Sequence, residues 1–155
     1  MVYRHGGAID FHETTGLSEQ PLLAGLSARE IDEIATLGTM RNYRSGERIV
    51  AAGDPSASLF FLVSGVVHVS LPDGVRLATL TAGTAFGEMA LLETHRTADV
   101  LADMSATALE IPLDAFERYR EKNPHVGERI MRNLAQLLAE RLIVANTKVD
   151  LLTAT

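Results

Sequence analysis

The feature that most constrains the fold is a run of short apolar segments, separated by glycine-containing turns, over roughly residues 40–112. The segments are rich in Val, Leu, Phe and Thr, and Gly-Asp and Asp-Gly pairs recur between them. Several such segments at intervals of about 8–12 residues are typical of an all-β sandwich or barrel. The sequence therefore predicts a mainly β domain at the centre of the chain.

The clearest pair of strands flanks the Pro-Asp-Gly sequence at residues 72–74. Segments 65–71 and 75–80 lie on either side of it, and apolar residues alternate along both. A Pro-Asp-Gly turn between two such segments predicts a β-hairpin. Because Leu80 falls on the opposite face from the other apolar residues of its segment, the sequence predicts the register only approximately.

The chain before the β segment divides into two parts. Residues 1–20 show neither helical nor strand periodicity, and we interpret them as a flexible lead-in or linker. The folded domain is therefore expected to span residues 21–155. Ser27 and Glu30 have the spacing of a capping box, which predicts an N-terminal helix over residues 27–37.

Two helices are predicted after the β-roll, at residues 113–122 and 125–152. The long helix carries apolar residues at alternating spacings of four and three positions: Met131, Ala135, Leu138, Leu142, Ala145, Val149 and Leu152. Such an a/d seam indicates pairing with another helix. Two alternatives stay open: the helix packs on its own β domain, or it forms a homodimer through residues 126–152, which we favour.

The composition excludes several classes of function. The chain has 155 residues, no cysteine and a formal net charge of −6. Without cysteine there is no disulfide framework, thiolate metal site or cysteine nucleophile. The acidic balance argues against a dedicated binder of DNA or of anionic membranes, because both require a basic face. With neither a membrane-spanning run nor a secretory signal, the domain is expected to be cytoplasmic.

The segment most informative about chemistry is 86–98, where a turn of helix formers begins after Gly87. A helix start offers unpaired N–H groups to an anion, and glycine lets a ligand approach the backbone closely. Arg96 is suited to hold a phosphate through two parallel hydrogen bonds, and Glu88 to accept one from a ribose hydroxyl. These residues suggest a site for a phosphorylated sugar. The alternative is that Glu88 and Arg96 simply pair at a surface bend.

The order of glycines and apolar positions resembles the cyclic nucleotide-binding domain family, which includes the catabolite activator protein, kinase regulatory subunits and channel ligand domains. The matching positions in the β segment are Tyr43, Gly46, Glu47, Ile49, Gly53, Asp54, residues 59–63, Gly65, Val67, Val69, Gly83, Phe86, Gly87, Glu88, Ala90, Leu91, Arg96 and Ala98. The closing positions that match are Leu109, Ile111, Phe116, Pro124, Leu134, Ala135, Arg141 and Leu142. The resemblance covers about residues 22–152. It implies a double-stranded β-helix, or jelly-roll, with an N-terminal helix and a long C-terminal helix.

The resemblance also implies a ligand, cAMP or cGMP, and a role for each matching residue. Arg96 would bind the cyclic phosphate, and the backbone N–H groups of Ala90 and Thr97 would add donors. Glu88 and the Gly87 backbone would take the ribose 2′-hydroxyl. An Arg followed by Thr often accompanies cGMP binding in the family, although cAMP-preferring members also have this pair.

The group that contacts the base comes from the long helix in this family. Alignment of that helix places Asn146 where polar residues touch the base edge, and its amide suits adenine. The alternative is that Asn146 is a solvated helix residue. The loop from Glu88 to Arg96 is also shorter than is usual in the family, and Thr94-His95 replace the usual Gly or Pro.

The expected function is a regulatory ligand-sensing module, not an enzyme, that relays nucleotide binding through movement of its C-terminal helices to a host protein. The amino-acid sequence of segment 86–98 resembles that of the C-terminal domains of bacterial glutaminases and of other host proteins. The alternative is a ligand-free β-roll that serves as a dimerisation or docking domain of a larger protein. Too few residues follow Leu152 for a helix-turn-helix domain, so DNA is not an expected partner.

The five histidines raise the question of a metal-dependent cupin, which is also a jelly-roll. A cupin needs clustered histidines with a Glu on neighbouring strands. His68 stands alone in its strand, and His5 and His12 lie in the lead-in. We therefore expect no metal site.

Overall fold

The computed structural model describes residues 17–55, 57–92, 96 and 98–153. Within these residues the chain forms two four-stranded antiparallel sheets, with strand orders β1-β8-β3-β6 and β2-β7-β4-β5. The strands are β1 (Thr39–Tyr43), β2 (Arg48–Val50), β3 (Ser58–Ser64), β4 (Val66–Ser70), β5 (Arg76–Thr81), β6 (Ala85–Phe86), β7 (Asp99–Ala102) and β8 (Ala106–Pro112).

Helices flank the strands on both sides along the chain. They are α1 (Ala28–Ala35), α2 (Leu113–Lys122) and α3 (Pro124–Thr153), with short 3-10 helices at Leu17–Glu19, Pro21–Leu23 and Glu88–Leu91. The capping box is present: the Ser27 hydroxyl accepts from the Glu30 N–H, and the Glu30 carboxylate accepts from the Ser27 N–H. The predicted fold class, a β-roll with an N-terminal helix and a long C-terminal helix, is confirmed.

Strand β3 lies at the centre of the molecule and is buried on both faces. Leu59 and Phe61 point into a cluster formed with the three helices, whereas Phe60 and Leu62 pack between the two sheets. Side chains alternate across a strand, so a strand covered on both sides must be apolar at every position. This double burial explains why β3 is a continuous apolar run instead of an alternating one.

The predicted hairpin is strands β4 and β5. Its turn closes with a hydrogen bond from the Gly74 N–H to the Leu71 carbonyl. The register shifts between Val69, which pairs with Ala78, and Ser70, which pairs with Arg76. This β-bulge supplies the physical reason for the irregular apolar pattern of the second strand, because an extra residue changes which side chains share a face.

The end of the predicted lead-in differs from the expectation. Residues 1–16 lie outside the described residues, but Leu17 is fully buried and Gln20 is 1% exposed. The Gln20 side-chain amide donates to the Leu62 carbonyl of β3 at 3.2 Å. The prediction of a flexible segment up to residue 20 is therefore wrong for residues 17–20, because these contacts come from distant parts of the chain and leave no local periodicity.

The first half of α3 packs on the chain's own body. Val126, Ile130 and Leu134 are buried there, and the Asn133 amide donates to the Leu22 and Ala24 carbonyls at 2.9 Å. Residues 139–147 are exposed. The packed face follows positions four apart and overlaps the a/d seam, because Met131 and Leu138 of the seam also pack, partly buried, against the same cluster.

A side-chain hydrogen bond joins α1 to the start of α3. The Glu30 carboxylate lies 2.6 Å from the His125 imidazole and also accepts from the Ser27 N–H. The Ser27 N–H, followed by His125, lowers the pKa of Glu30 below its ordinary value of 4.5. A carboxylate whose pKa is lowered on folding stabilises the fold above its unfolded pKa, and that contribution disappears as the pH falls through its folded pKa.

We therefore expect Glu30→Gln to reduce the acid sensitivity of the fold. Glutamine still completes the capping box, so the helix start is retained while the titrating group is removed. Melting temperatures measured from neutral pH to below pH 4.5 should fall less steeply for Glu30→Gln than for the unsubstituted protein. Parallel curves for the two proteins would contradict this prediction.

Candidate functional site

The candidate site is a cavity of about 480 Å³ that contains the predicted residues Gly87, Glu88 and Arg96. Apolar side chains from five strands and one loop line most of it: Val50, Val69, Leu77, Ala78, Leu80, Ala85, Phe86, Ala98 and Val100. Three charged residues, Glu88, Arg96 and Arg141, also line it, together with Gly87. An apolar wall with a few convergent polar groups is the usual composition of a small-molecule site.

Gly87 lies between β6 and the 3-10 helix Glu88–Leu91. Its φ is +70°, in the left-handed region that glycine adopts readily. A Cβ added there would lie 2.9 Å from the Arg96 guanidinium and 3.2 Å from the Phe60 ring. The preceding Phe86 is buried and stacks on Phe60, with 4.8 Å between ring centroids. The glycine thus lets arginine, aromatic core and backbone meet at one point.

Arg96 is brought to the cavity by backbone hydrogen bonds to the turn after β2. Its N–H donates to the Asp54 carbonyl, and its own carbonyl accepts from the Gly53 N–H, both at 2.8 Å. That turn is held by the buried Asp99 carboxylate, which accepts from the Ala52 N–H at 2.7 Å. This clamp explains how a short loop still delivers the arginine to the cavity.

The Arg96 guanidinium is half-buried and bonded to main-chain oxygens. It donates to the Gly87 carbonyl at 3.2 Å and to the Ser58 carbonyl at 2.5 Å. Burial lowers the pKa of Arg96, while the charges of Glu88 and Glu110 act in the opposite direction. Arginine stays protonated at neutral pH, so the cavity contains a fixed positive charge with donors still available to an anion.

The ion-pair partner of Glu88 is Arg141 and not Arg96. Its side chain is 9% exposed, and its carboxylate accepts from Arg141 of α3 at 2.5 Å. The alternative of a direct Glu88–Arg96 pair at a surface bend is wrong, because the Glu88 carboxylate pairs with Arg141 inside the cavity instead. Arg141 also belongs to this site; it matches the family pattern of the last helix, but the sequence predicted no site role for it.

The remaining predicted site residues are Ala90, Thr97 and Asn146. Ala90 falls within the 3-10 helix Glu88–Leu91, which replaces the predicted helix over residues 88–92. Thr97 lies outside the described residues. Asn146 is exposed on α3 and is not among the residues that line the cavity, so its contact with a base stays a prediction.

The described residues show neither a candidate metal site nor a membrane span. No three or more of their His, Asp and Glu side chains come together in a way that could hold an ion. None of the helices formed by this part of the chain is long and apolar enough to cross a bilayer. The cavity instead brings together cationic side chains, a carboxylate and an apolar wall.

The sequence of the chain matches one protein family over the segment that forms the cavity. The sequence profile of the cyclic nucleotide-binding domain matches residues 40–123, more than half of the chain. The chain belongs to this family. The predicted resemblance is therefore confirmed, and the matched segment includes both sheets apart from Thr39 and all of the cavity except Arg141.

Glutaminases and a cyclic AMP receptor protein are among the known proteins that are similar to the chain. Glutaminase 1 of Bradyrhizobium diazoefficiens is 69% identical over 155 residues, which is 100% of this chain and 25% of that protein. The cyclic AMP receptor protein of Thermus thermophilus is 33% identical over 139 residues. The aligned region is 86% of this chain and 62% of that protein. The crystal structure of the T. thermophilus catabolite activator protein has a TM-score of 0.72 at 32% identity, over 86% of this chain and 63% of that one.

The chain spans only a quarter of the glutaminases it matches, since Glutaminase 2 of the same organism also matches over 25% of its length. This cyclic nucleotide-binding domain has a regulatory fold and corresponds to a small part of those larger proteins. The prediction that the chain is not itself an enzyme is in agreement with the family match and with this coverage.

Proposed function

We propose that this cyclic nucleotide-binding domain binds cAMP or cGMP and relays that binding to a larger host protein. The observation that carries the proposal is the meeting of Arg96, Gly87 and the buried Glu88 in one cavity with an apolar wall. A cyclic nucleotide combines an anion, a ribose hydroxyl and a flat apolar base, so each part of the cavity has a matching part of the ligand.

The phosphate and the ribose are assigned to the charged end of the cavity. Arg96 binds the cyclic phosphate after exchanging its bonds to main-chain carbonyls for stronger, charge-assisted ones. The backbone N–H groups of Ala90 and Thr97 add donors to the phosphate. Glu88 and the Gly87 backbone take the ribose 2′-hydroxyl. The proposed roles of Ala90 and Thr97 rest on the family resemblance of the sequence.

The base is assigned to the apolar wall formed by the β4–β5 hairpin. Val69, Leu77 and Leu80 line that side of the cavity. Thr97 and Asn146 are the proposed contacts to the base edge, and they would decide between cAMP and cGMP, because only hydrogen bonds to the edge distinguish adenine from guanine.

The proposed relay starts at the 3-10 helix beside the ligand. Leu91 of that helix packs against the same apolar cluster as Phe116 of α2 and Ile130 of α3. Drawing the 3-10 helix toward the phosphate repacks this cluster and moves the C-terminal helices onto the base. Ligand binding shifts the equilibrium only by its difference in affinity for the two arrangements.

The proposed host is a larger enzyme of the glutaminase type. The 69% identity to a glutaminase over the full chain supports this assignment. The domain would then control the activity of a catalytic part in the same polypeptide.

Isothermal calorimetry with cAMP and with cGMP tests the binding proposal directly. A folded protein that binds neither nucleotide at millimolar concentration, which corresponds to a dissociation constant weaker than about 1 mM, would rule it out. Unsubstituted protein and Arg96→Lys, which keeps the charge without the planar fork, should differ in affinity if the arginine bonds to the phosphate.

A second candidate function is a docking or dimerisation domain that has lost its ligand. It is favoured by the internal pairing of the site, because Arg96 is bonded to two carbonyls and Glu88 to Arg141. It is also favoured by the exposed apolar side chains of α3, including Leu142, which is 61% exposed, and Val149, which is 56% exposed.

Both candidate functions share a proposed homodimer through α3. The exposed positions Leu142, Ala145 and Val149 belong to the a/d seam, and residues at these spacings form one stripe along a helix. A second copy of the same helix presents the same stripe, so the two copies bury each other's apolar residues.

We expect Leu142→Glu to weaken the dimer by at least about tenfold, because a carboxylate at a core position of paired helices loses its water without gaining a partner. Ile143→Glu is the matched control. Ile143 is equally exposed, at 64%, but lies about 100° around the helix from Leu142. Sedimentation equilibrium measures both variants, and a dimer that tolerates Leu142→Glu as well as Ile143→Glu would contradict the seam.

A further inference from the structure

A buried carboxylate that the proposed function does not use lies beside the candidate site. Asp99 is the first residue of β7 and is 9% exposed. The next residue, Val100, lines the cavity, whereas Asp99 does not. Because successive side chains of a strand point to opposite faces, Asp99 lies on the face of its sheet away from the cavity. Any effect of Asp99 on a ligand must therefore pass through other residues.

The Asp99 carboxylate holds the turn that follows β2. Its Oδ1 atom accepts a hydrogen bond from the Ala52 N–H at 2.7 Å. Within the turn, the Asp54 N–H donates to the Ala51 carbonyl at 3.2 Å, and Gly53 has a φ of +88°. A carboxylate shielded from solvent fixes such a turn more firmly than water could, because its bond to the main chain is charge-assisted.

Arg96 is attached to this turn by its main chain. Its N–H donates to the Asp54 carbonyl and its carbonyl accepts from the Gly53 N–H, both at 2.8 Å. At the other end of the side chain, the guanidinium donates to the Gly87 and Ser58 carbonyls. The turn therefore sets the base of a side chain whose tip must meet the phosphate.

We infer that Asp99 is a positioning residue for nucleotide binding: through the turn after β2 it fixes the main chain of Arg96, so that the guanidinium meets the cyclic phosphate. The inference rests on the proposed function and adds to it a residue outside the cavity that controls the affinity. A planar guanidinium forms two parallel bonds to a phosphate in few orientations. A displaced main chain therefore costs affinity even when the side chain still reaches the phosphate.

Positioning and charge predict different effects of replacing Asp99. A carboxylate near a site for an anion repels the ligand, so charge alone predicts tighter binding by both Asp99→Asn and Asp99→Val. Positioning predicts that only the loss of the hydrogen-bond acceptor matters. Asparagine keeps an oxygen for the Ala52 N–H, whereas valine, which is of similar size, leaves that N–H unpaired.

The experiment is calorimetry with cAMP and cGMP on the 155-residue chain and on these two variants. We expect Asp99→Val to bind the nucleotide about tenfold more weakly, because a displaced guanidinium loses bonds to the phosphate. Asp99→Asn is the matched control and should stay within about threefold of the unsubstituted protein. Equal affinities of the two variants, or tighter binding by both, would overturn the inference.

A double-mutant cycle separates positioning from a general weakening of the fold. In Arg96→Lys the cation is a point charge on a flexible stem, which reaches the phosphate from more than one backbone position. Adding Asp99→Val to Arg96→Lys should therefore lower the affinity by less than about threefold, against about tenfold when the arginine is present. The same loss in both backgrounds would show that Asp99 only supports the fold, and would overturn the inference.

The turn itself provides a second test, which decides the matter if Asp99→Val does not fold. Gly53→Ala places an alanine in the left-handed region and strains the turn, so we expect nucleotide binding to weaken at least about threefold. Gly46→Ala is its matched control. Gly46 has a φ of +84° in the turn before β2, and a Cβ at either glycine meets no atom within 4 Å.

The two glycine variants should have similar melting temperatures and different affinities, because only the turn at Gly53 holds Arg96. Equal affinities would contradict the inference. If the unsubstituted protein binds a nucleotide and both Asp99→Val and Gly53→Ala bind it equally well, the inference fails and the proposed function stands. If the unsubstituted protein binds neither nucleotide, the proposed function fails, and the inference with it.

Discussion

Arg96→Ala is expected to lower the affinity for the cyclic nucleotide at least about 100-fold, close to 3 kcal/mol of binding free energy. The guanidinium is the charged donor nearest the Gly87 turn, half-buried between the Gly87 and Ser58 carbonyls. Truncation removes the charge-assisted bonds to the phosphate and leaves a desolvated anion without its cation. Calorimetric titration of the variant measures the loss.

Two controls separate phosphate binding from a structural role of Arg96. Arg96→Lys keeps the positive charge but loses the fork, and we expect a loss of about tenfold. Arg76→Ala removes a half-exposed arginine that pairs with Asp103 at 3.1 Å, outside the cavity, and should not alter affinity. Equal affinities of Arg96→Ala and the unsubstituted protein would show that the phosphate binds elsewhere.

Gly65→Ala is expected to lower the free energy of unfolding by about 3 kcal/mol or more. Gly65 joins β3 to β4 with a φ of +87°. A Cβ there would lie 2.2 Å from the Ser105 carbonyl oxygen and 2.6 Å from the Ala106 Cα, both backbone atoms at the start of β8. Neither atom can move without disturbing the pairing of β8 with β3. Urea denaturation followed by circular dichroism measures the change.

Gly74→Ala is the matched control for this effect. Gly74 also has a positive φ, +94°, but a Cβ there meets no atom within 4 Å. Its replacement by alanine should therefore lower the free energy of unfolding only by the backbone strain of an alanine in the left-handed region, roughly 1–2 kcal/mol. The difference between the two variants isolates the steric contact with β8. Equal destabilisation would mean that the backbone conformation alone accounts for Gly65.

Local sequence was sufficient to predict those structural elements that depend on residues only a few positions apart. Ser27 and Glu30 are three positions apart, and their reciprocal hydrogen bonds form as their spacing predicts. The hairpin at 72–74 and the 3-10 helix after Gly87 follow from turn residues at fixed offsets in the same way. Each of these features is decided by backbone preferences that operate over one turn.

Features that depend on distant residues were missed or only partly predicted. Gln20 lies 42 positions from the Leu62 carbonyl that binds its amide, so residues 17–20 showed no local sign of order. The β-bulge near Ser70 shifts the register of β5 and cannot be located from alternation alone. The clamp of Arg96 on the Gly53–Asp54 turn likewise joins segments separated by the whole hairpin.

The sequence by itself determined that this chain is an acidic β-roll, without cysteine, with a glycine, a glutamate and an arginine in the order of a cyclic nucleotide site. Only the tertiary structure decided what those charges bond to. Glu88 pairs with Arg141, 53 positions away, and not with the nearby Arg96, which bonds to main-chain carbonyls instead. The physical reason is that an ion pair depends on distance and burial in space, and these are set by how α3 crosses the roll and not by separation along the chain.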